Sequence, residues 1–365
     1  MSPVTMMDMF AGAGGASTGA VAAGIEVRYA ANHWPLSVRT HATNHPDTEH
    51  ACVDLSELSP ARVPWTHIVW GSPSCTFHAQ AQGSYRTSPE AEESRATMFA
   101  VIRMADWHRP PAILVENVTE VLAWPLFRGW RQMLHDLGYQ TRIVTLNSAH
   151  IGRRVAQSRD RFYLVATIGP LPDLTHLTDT PATCPTCGPV VGQRVGRHGR
   201  YGHGRQYRYM CPACMADTEP VVTPAAAVID WDIPGTRVGD RFRPRTMGKI
   251  ELGLARYGEA PFIAELRGGG STTRPITDPL ATVTAGGAHH MLVTPAGADP
   301  RDASARMLTP RETARAQGFS DGYVIHGTVA EQRKQIGNAV STNVSEALLA
   351  AVAALPHVRD AEPSR

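Results

Sequence analysis

Lysine is nearly missing from this sequence. Lys249 and Lys334 are its only two lysines in 365 residues, and arginine carries the remaining basic charge. That bias fits either a GC-rich genome or arginine's preference for planar polar partners. Net charge is also close to nil, at +2, so whole-chain charge predicts neither a strongly basic nucleic-acid binder nor an acidic tail. No basic N-terminal segment leads into an apolar stretch, and no apolar run approaches a membrane span. We therefore expect an intracellular, cytoplasmic protein with no membrane partner. Cysteine is scarce: Cys52, Cys75, Cys184, Cys187, Cys211 and Cys214 are all there are. In a reducing compartment such thiols serve catalysis or metal binding more often than disulfides. Hydrophobic residues make up 42% of the chain, enough for a substantial core.

The first part of the chain alternates strands and helices. Strand patterns cover 4–10, 26–31, 68–70, 112–115 and 162–168, and helical patterns cover 17–24, 36–43 and 90–107. This alternation predicts an α/β fold with a doubly wound, mostly parallel sheet. From Gly169 the composition shifts to Pro, Gly and Thr, and helical periodicity fades until about Thr309. We read that stretch as a second, smaller domain, irregular or β-rich. Helical segments return at 310–317 and 343–355, and the tail after Pro356 is expected to fray. The expected division is 1–169, 170–325 and a C-terminal helical segment, 326–365, that returns to the first domain.

In open α/β sheets, ligands bind beyond the carboxyl ends of the strands. The residues at those ends here are rich in chemistry. Asp8-Met9-Phe10-Ala11-Gly12-Ala13-Gly14-Gly15 closes the first strand with glycines that admit a ligand to the backbone before a helix N-terminus. It is neither GxGxxG nor a P-loop. Asn32-His33-Trp34 ends the second strand, where a ribose is usually read, and Trp34 offers a face for an adenine. Asp54 ends a third candidate strand and can accept from an exocyclic amine. "GSPSCTFHAQAQG" (71–83) places Cys75 in a polar loop, where packing does not call for a thiol. Glu116-Asn117-Val118 follows the strand at 112–115, Gln157-Ser158-Arg159-Asp160-Arg161 precedes another, and Gly337-Asn338-Ala339-Val340 lies late in the chain. A thiol, a carboxyl and two arginines converging on one crevice form a catalytic constellation: Cys75, Glu116, Arg159 and Arg161.

The second part carries two CxxC turns, Cys184–Cys187 and Cys211–Cys214, separated by 23 residues. This spacing signals a zinc ribbon over about 184–214, with four thiolates closing a structural site. No acidic residue occurs between Asp179 and Asp217, while Arg194, Arg197, Arg200, Arg205 and Arg208 alternate there with His198, Tyr201, His203, Tyr207 and Tyr209. Such charge suits phosphates and guanine edges. The Gly-rich loops 268–274 and 284–290 are further candidates for facing nucleic acid.

The blocks "DMFAGAGG", "GSPSCTFHAQAQG", "VENVTEV", "VAQSRDRFYLV", "RMLTPRETARAQGF" and "KQIGNAV", in this order, resemble the DNA (cytosine-5)-methyltransferase family over nearly the whole chain. The resemblance implies a Rossmann-like domain that binds S-adenosylmethionine and a smaller domain that reads double-stranded DNA. It implies cofactor contacts at Phe10, Ala11, Gly12, Gly14, Gly15, Asn32, His33, Trp34, Asp54, Leu55, Pro73, Asn338 and Ala339. It also implies a mechanism: the Cys75 thiolate adds to carbon 6 of a flipped-out cytosine, Glu116 serves ring nitrogen 3, and Arg161 with Arg159 holds the base carbonyl. The loop 77–87 is suited to closing over that base. The sequence departs from the family at Ser74-Cys75-Thr76, where Pro-Cys-Gln is usual, at His78 in place of serine, and at His33 in place of an acid. Alternatives left open at this stage are an RNA cytosine methyltransferase, transfer of another group from a modified cofactor, and an inactive DNA-binding homologue. A monomer of bacterial or viral origin is the expectation, with room for a cognate restriction endonuclease as companion.

Overall fold

The computed structural model describes residues 3–74, 89–196, 203–204, 207–240, 242–266 and 273–363. The first body runs β1 (Thr5–Met9), α1 (Gly15–Ala22), β2 (Glu26–Asn32), α2 (Pro35–Asn44), β3 (Glu49–Cys52), β4 (Ile68–Gly71), α3 (Pro89–His108), β5 (Ala112–Asn117), α4 (Phe127–Asp136), β6 (Gln140–Asn147), β7 (Gln157–Ser158) and β8 (Asp160–Thr167). Seven of these strands form one sheet in the order β3-β2-β1-β4-β5-β8-β6. The five strands from β3 to β5 pair in parallel, while β8 runs antiparallel to both β5 and β6. The order reverses at β1, so the crevice opens between the loops after β1 and β4. Because β8 is antiparallel, its first residues, not its last, lie at that crevice. The central strands β1, β4 and β5 are buried at every position, as expected of strands covered by helices on both faces.

The second part holds α5 (Thr175–Thr178), β9 (Thr180–Cys184), β10 (Gly188–Gly196), β11 (Tyr207–Met210) and β12 (Asp217–Pro220). These four strands close into a small antiparallel barrel. Each of its hairpins, β9–β10 and β11–β12, turns through one CxxC pair. Beyond it come β13 (Thr236–Arg237), α6 (Pro244–Tyr257), β14 (Phe262–Glu265), β15 (Thr273–Pro275), β16 (Leu280–Ala281), β17 (His290–Thr294) and β18 (Ser304–Met307). Five of these strands form a second sheet, β13-β18-β17-β14-β15, while β16 pairs with β7 beside the first sheet. The chain ends in α7 (Pro310–Gln317), α8 (Val329–Asn338), α9 (Thr342–Ala353) and α10 (Pro356–Arg359).

Three details differ from the sequence reading. The 14-residue helix α6 lies where no helical periodicity was expected. Its Gly253 interrupts the pattern because the Phe262 ring occupies the space a Cβ would take. The last strands of the first sheet are antiparallel. The tail does not fray at Pro356: α10 buries Val358 completely in the core cluster beneath α9.

Helix α9 packs closely across α1. A Cβ at Gly15 would overlap the Val340 carbonyl, and one at Gly19 would overlap Ser345. Ser345 Oγ donates to the Gly15 carbonyl at 3.1 Å across 330 positions of sequence. The N-terminal glycine turn is thus floored by the end of the chain. Among the described residues, no helix is long and apolar enough to cross a membrane.

Candidate active site and metal centre

The loop carrying the nucleophile candidate is held at its stem. Ser72 N donates to the Met9 carbonyl at 3.2 Å, tying the end of β4 to the end of β1. Ser74 N donates to Thr97 Oγ1 at 3.2 Å, and Ser94 Oγ donates to Ser74 Oγ at 2.8 Å, both from α3. Asn117 Nδ2, fully buried, donates to the Pro73 carbonyl at 3.2 Å. The next residue is Cys75, which lies outside the described residues with Thr76, His78 and the loop 77–87.

Glu116 sits at the end of β5, opposite Tyr163 on β8. Its side chain is 11% exposed and meets Arg161 Nε at 3.2 Å through Oε1; Arg161 is 15% exposed. Burial pushes the Glu116 carboxyl above its usual range, against the opposing pull of Arg161 and then Arg159. Arg161 also donates from Nη1 to the Asp160 carbonyl at 2.9 Å. Arg159 behaves differently. Its guanidinium is buried and donates to the carbonyls of Val283 (2.8 Å), Gly337 (3.1 Å) and Ala339 (3.3 Å). It clamps the first sheet to the second part of the chain and to the end of α8.

The glycine turn after β1 has the backbone freedom its sequence implied. Phe10, Gly12 and Gly14 all have positive φ, at 62°, 53° and 87°. Nothing but the Phe10 carbonyl, at 3.8 Å, stands near the Cβ direction of Gly12. Beside it, a shallow open depression is lined by Ala11, Gly12, Ala31, Asn32 and His41, among others. Gly14 precedes α1 without a side-chain cap of its own, and the buried Asp8 carboxyl meets the first turn of the helix at Ser17. An open glycine backbone at the β1–β2 crevice fits close approach of S-adenosylmethionine to the main chain. Gly14 and Gly15 instead face Tyr323 and Val340 across the floor.

The other candidates lie on the rim. Asn32 Oδ1 accepts from Trp34 N at 2.9 Å, shaping the turn after β2, and His33 is exposed. Trp34 carries the Lys334 ammonium 4.8 Å from its ring centroid. Asp54 is exposed, and its carboxylate is held below its usual range by hydrogen bonds from Ser56. Leu55 is buried in the core, Asn338 is exposed at the end of α8, and Ala339 is buried.

Sequence reasoning missed the polar network under the turn. Asp8, fully buried, accepts from Ser17 Oγ at 2.6 Å; Ser17 Oγ meets His41 Nε2 at 2.9 Å; His41 Nδ1 meets His50 Nε2 at 2.8 Å. Desolvation raises the Asp8 carboxyl to about 7 and lowers His41 well below its ordinary value. A carboxyl inside an otherwise apolar strand was the available signal.

The four barrel cysteines converge as the spacing predicted. The Sγ atoms of Cys184, Cys187, Cys211 and Cys214 all lie within 4.8 Å of one another, and Cys184 and Cys214 are 3.4 Å apart. Four thiols at the mouths of two hairpins fit one tetrahedral zinc. The arginines around them are partly committed to the protein itself. Arg194 donates to the Thr145 carbonyl on β6 and lies 3.7 Å over the Tyr207 ring. Arg208 pairs with Asp217 at 2.7 Å. Arg197, His198, Arg200, Tyr201, Arg205 and the loop 267–272 lie outside the described residues.

The family model for C-5 cytosine-specific DNA methylases matches residues 4–186 and 247–354. The chain belongs to that family. Curated relatives include Type II methyltransferase M.HgiDI of Herpetosiphon aurantiacus, 24% identical over 93% of this chain and 91% of its own length. Another is M.NlaX of Neisseria lactamica, 24% identical over 94% of both chains. Among solved structures, a putative DNA modification methyltransferase of an E. coli prophage covers 96% of this chain and 98% of its own, with TM-score 0.58 and 19% identity. Spodoptera frugiperda DNMT2 covers 96% and 99%, with TM-score 0.62 and 14% identity. These structures share the fold. This methyltransferase moves a methyl group from S-adenosylmethionine to carbon 5 of cytosine in DNA. The family match stops at 186 and resumes at 247, so most of the barrel falls between the matched parts.

Proposed function

We propose that Cys75 is the nucleophile of this methyltransferase and that Glu116 and Arg161 receive the cytosine. The observation that carries this reading is the buried Arg161–Glu116 pair at the crevice end of β5 and β8, beside a loop stem fixed by Asn117 and Ser74. The Cys75 thiolate adds to carbon 6, and the electron pair released to carbon 5 takes the methyl group. A base then removes the carbon 5 proton, and the thiolate leaves by elimination. Glu116, whose proton burial holds to higher pH than usual, donates to ring nitrogen 3 as charge develops there. Arg161 donates to the base carbonyl. S-adenosylmethionine, when bound, supplies the methyl group. Phe10, Ala11, Gly12, Asn32, His33, Trp34, Asp54, Leu55, Pro73, Asn338 and Ala339 form its surroundings in this reading, with Gly14 and Gly15 setting the turn from below. Arg159 is a positioning residue, since its donors are engaged by carbonyls.

We assign 1–169 to catalysis, 170–325 to target recognition and 326–365 to the returning helices. The relatives' Type II names suit a modification enzyme with a cognate restriction endonuclease as companion, and a monomer suffices because a site can be methylated one strand at a time. The test is methyl transfer from labelled S-adenosylmethionine to DNA and to RNA, wild type against Cys75→Ser, followed by nucleoside mass spectrometry. Wild type yields 5-methyldeoxycytidine and Cys75→Ser does not. Unimpaired labelling by Cys75→Ser would remove the nucleophile assignment.

A further inference from the structure

The thiolate barrel reaches the catalytic strand directly. Tyr207, on β11 and 1% exposed, donates its hydroxyl to Asp160 Oδ1 at 2.7 Å. Asn147 Nδ2 donates to the other oxygen, Oδ2, at 3.1 Å. Asp160 stands between the two arginines of the site and opposite Asn147 in the β6–β8 register. Its main-chain carbonyl accepts from Arg161 Nη1 at 2.9 Å, and Arg161 Nε meets Glu116 at 3.2 Å. The contacts therefore run without a break from the barrel to the base-binding carboxyl: Tyr207, Asp160, Arg161, Glu116.

We propose that the barrel braces the active site, and that Tyr207 is a positioning residue that acts through Asp160 to hold Arg161 against Glu116. This rests on the reading of Arg161 and Glu116 given above. A carboxylate out of water needs its partners. Without the Tyr207 hydroxyl, Asp160 keeps Asn147 and the His203 N–H as donors but loses its side-chain tie to β11, so the carboxyl shifts or takes up a proton and its peptide carbonyl turns with it. Arg161 then loses one of two anchors. A guanidinium displaced by about 1 Å from its reacting partner costs on the order of 10²-fold in rate. Arg194 strengthens the brace, since it covers the Tyr207 ring and caps the Thr145 carbonyl of the sheet's edge strand. A barrel used for reading DNA alone has no need of a buried hydroxyl on the catalytic strand.

Steady-state methylation by the full chain tests this, with Tyr207→Phe, Asp160→Asn, Tyr209→Phe and Arg161→Ala, each checked for zinc content and melting temperature. Tyr209 is the comparator: its hydroxyl lies 3.2 Å from His150 Nδ1 and also meets Tyr207, one contact further from Asp160. Tyr207→Phe is expected to lose about tenfold or more in kcat, keep KM for DNA and for S-adenosylmethionine, and keep its zinc, while Tyr209→Phe stays near wild type. Asp160→Asn alters the same contact from the catalytic strand, with every barrel side chain kept, and is expected to lose kcat in the same way. An unchanged kcat in both Tyr207→Phe and Asp160→Asn overturns the brace, as does a rise in KM for DNA at constant kcat. So does a kcat loss that Tyr209→Phe shares in step with lost zinc. Arg161→Ala separates the two levels: if it retains activity, the site reading itself has failed, whatever Tyr207→Phe does.

Discussion

Arg161 and Glu116 face each other across β8 and β5 with 3.2 Å between Nε and Oε1, both withdrawn from water. Burial favours the neutral carboxyl, while the arginine favours the ion, and burial prevails. A proton stays on Glu116 into a range where an exposed glutamate has lost it.

Activity that needs this proton falls as pH rises through the elevated Glu116 value. Glu116→Gln removes that limb of the pH–rate profile and lowers kcat by roughly 10²–10⁴-fold. Cofactor binding, followed by calorimetry, stays near wild type because the cofactor cleft lies at β1 and β2. A pH profile of the same shape in Glu116→Gln would take the proton away from Glu116.

Arg159→Met should act on stability before chemistry. Three buried carbonyls, on Val283, Gly337 and Ala339, lose their donor. The cost is about 2–4 kcal/mol, visible as an earlier urea midpoint. A variant as stable as wild type would mean that those carbonyls find other donors.

Asp8 makes stability depend on pH in a direction unusual for a carboxylate. Its folded value, about 7, lies well above the usual range of an aspartate. Its contribution is therefore fully present below the unfolded value and lost as pH rises through 7. Relative to Asp8→Asn, wild type should lose on the order of 3–4 kcal/mol of unfolding free energy between pH 4 and pH 8. Urea unfolding of both proteins across that window measures the difference, and parallel curves would refute it.

Metal analysis of the purified protein should find one zinc per chain, and Cys211→Ser should lose it. The loss opens the 180–220 region to proteolysis, since the barrel has few buried apolar side chains beyond Ala182, Tyr207 and Tyr209. Far-UV circular dichroism should retain the signal of the seven-stranded sheet. Resistance to proteolysis after metal removal would show that the barrel stands by itself.

Much of the site was legible because its residues sit at strand ends, and strand ends announce themselves by pattern. Glu116 follows four apolar residues, and the glycines after Met9 mark a turn that only they permit. The CxxC spacing likewise fixes which thiols can meet. Legibility failed where a side chain's partner is remote. Arg159 reads as a charge beside Arg161, yet its partners lie more than 120 positions away. Arg194 and Arg208 read as phosphate ligands, yet one caps a strand edge and the other pairs with Asp217. The direction of β8 was hidden for the same reason. Asp160 passed as a spacer between two arginines, and only Tyr207 shows what it anchors.

The seam between α1 and α9 also sets an order of events during synthesis. Strand β1, the glycine turn and α1 leave the ribosome first, but Gly15 and Gly19 are shaped to the backbone of Val340 and the side chain of Ser345. A nascent chain stopped before Thr342 exposes the small-residue face of α1 and lacks the floor of the cofactor turn. A nascent chain without α9 lacks the Ser345 contacts that seat α1, so the turn that meets the methyl donor gains this support only as synthesis nears its end.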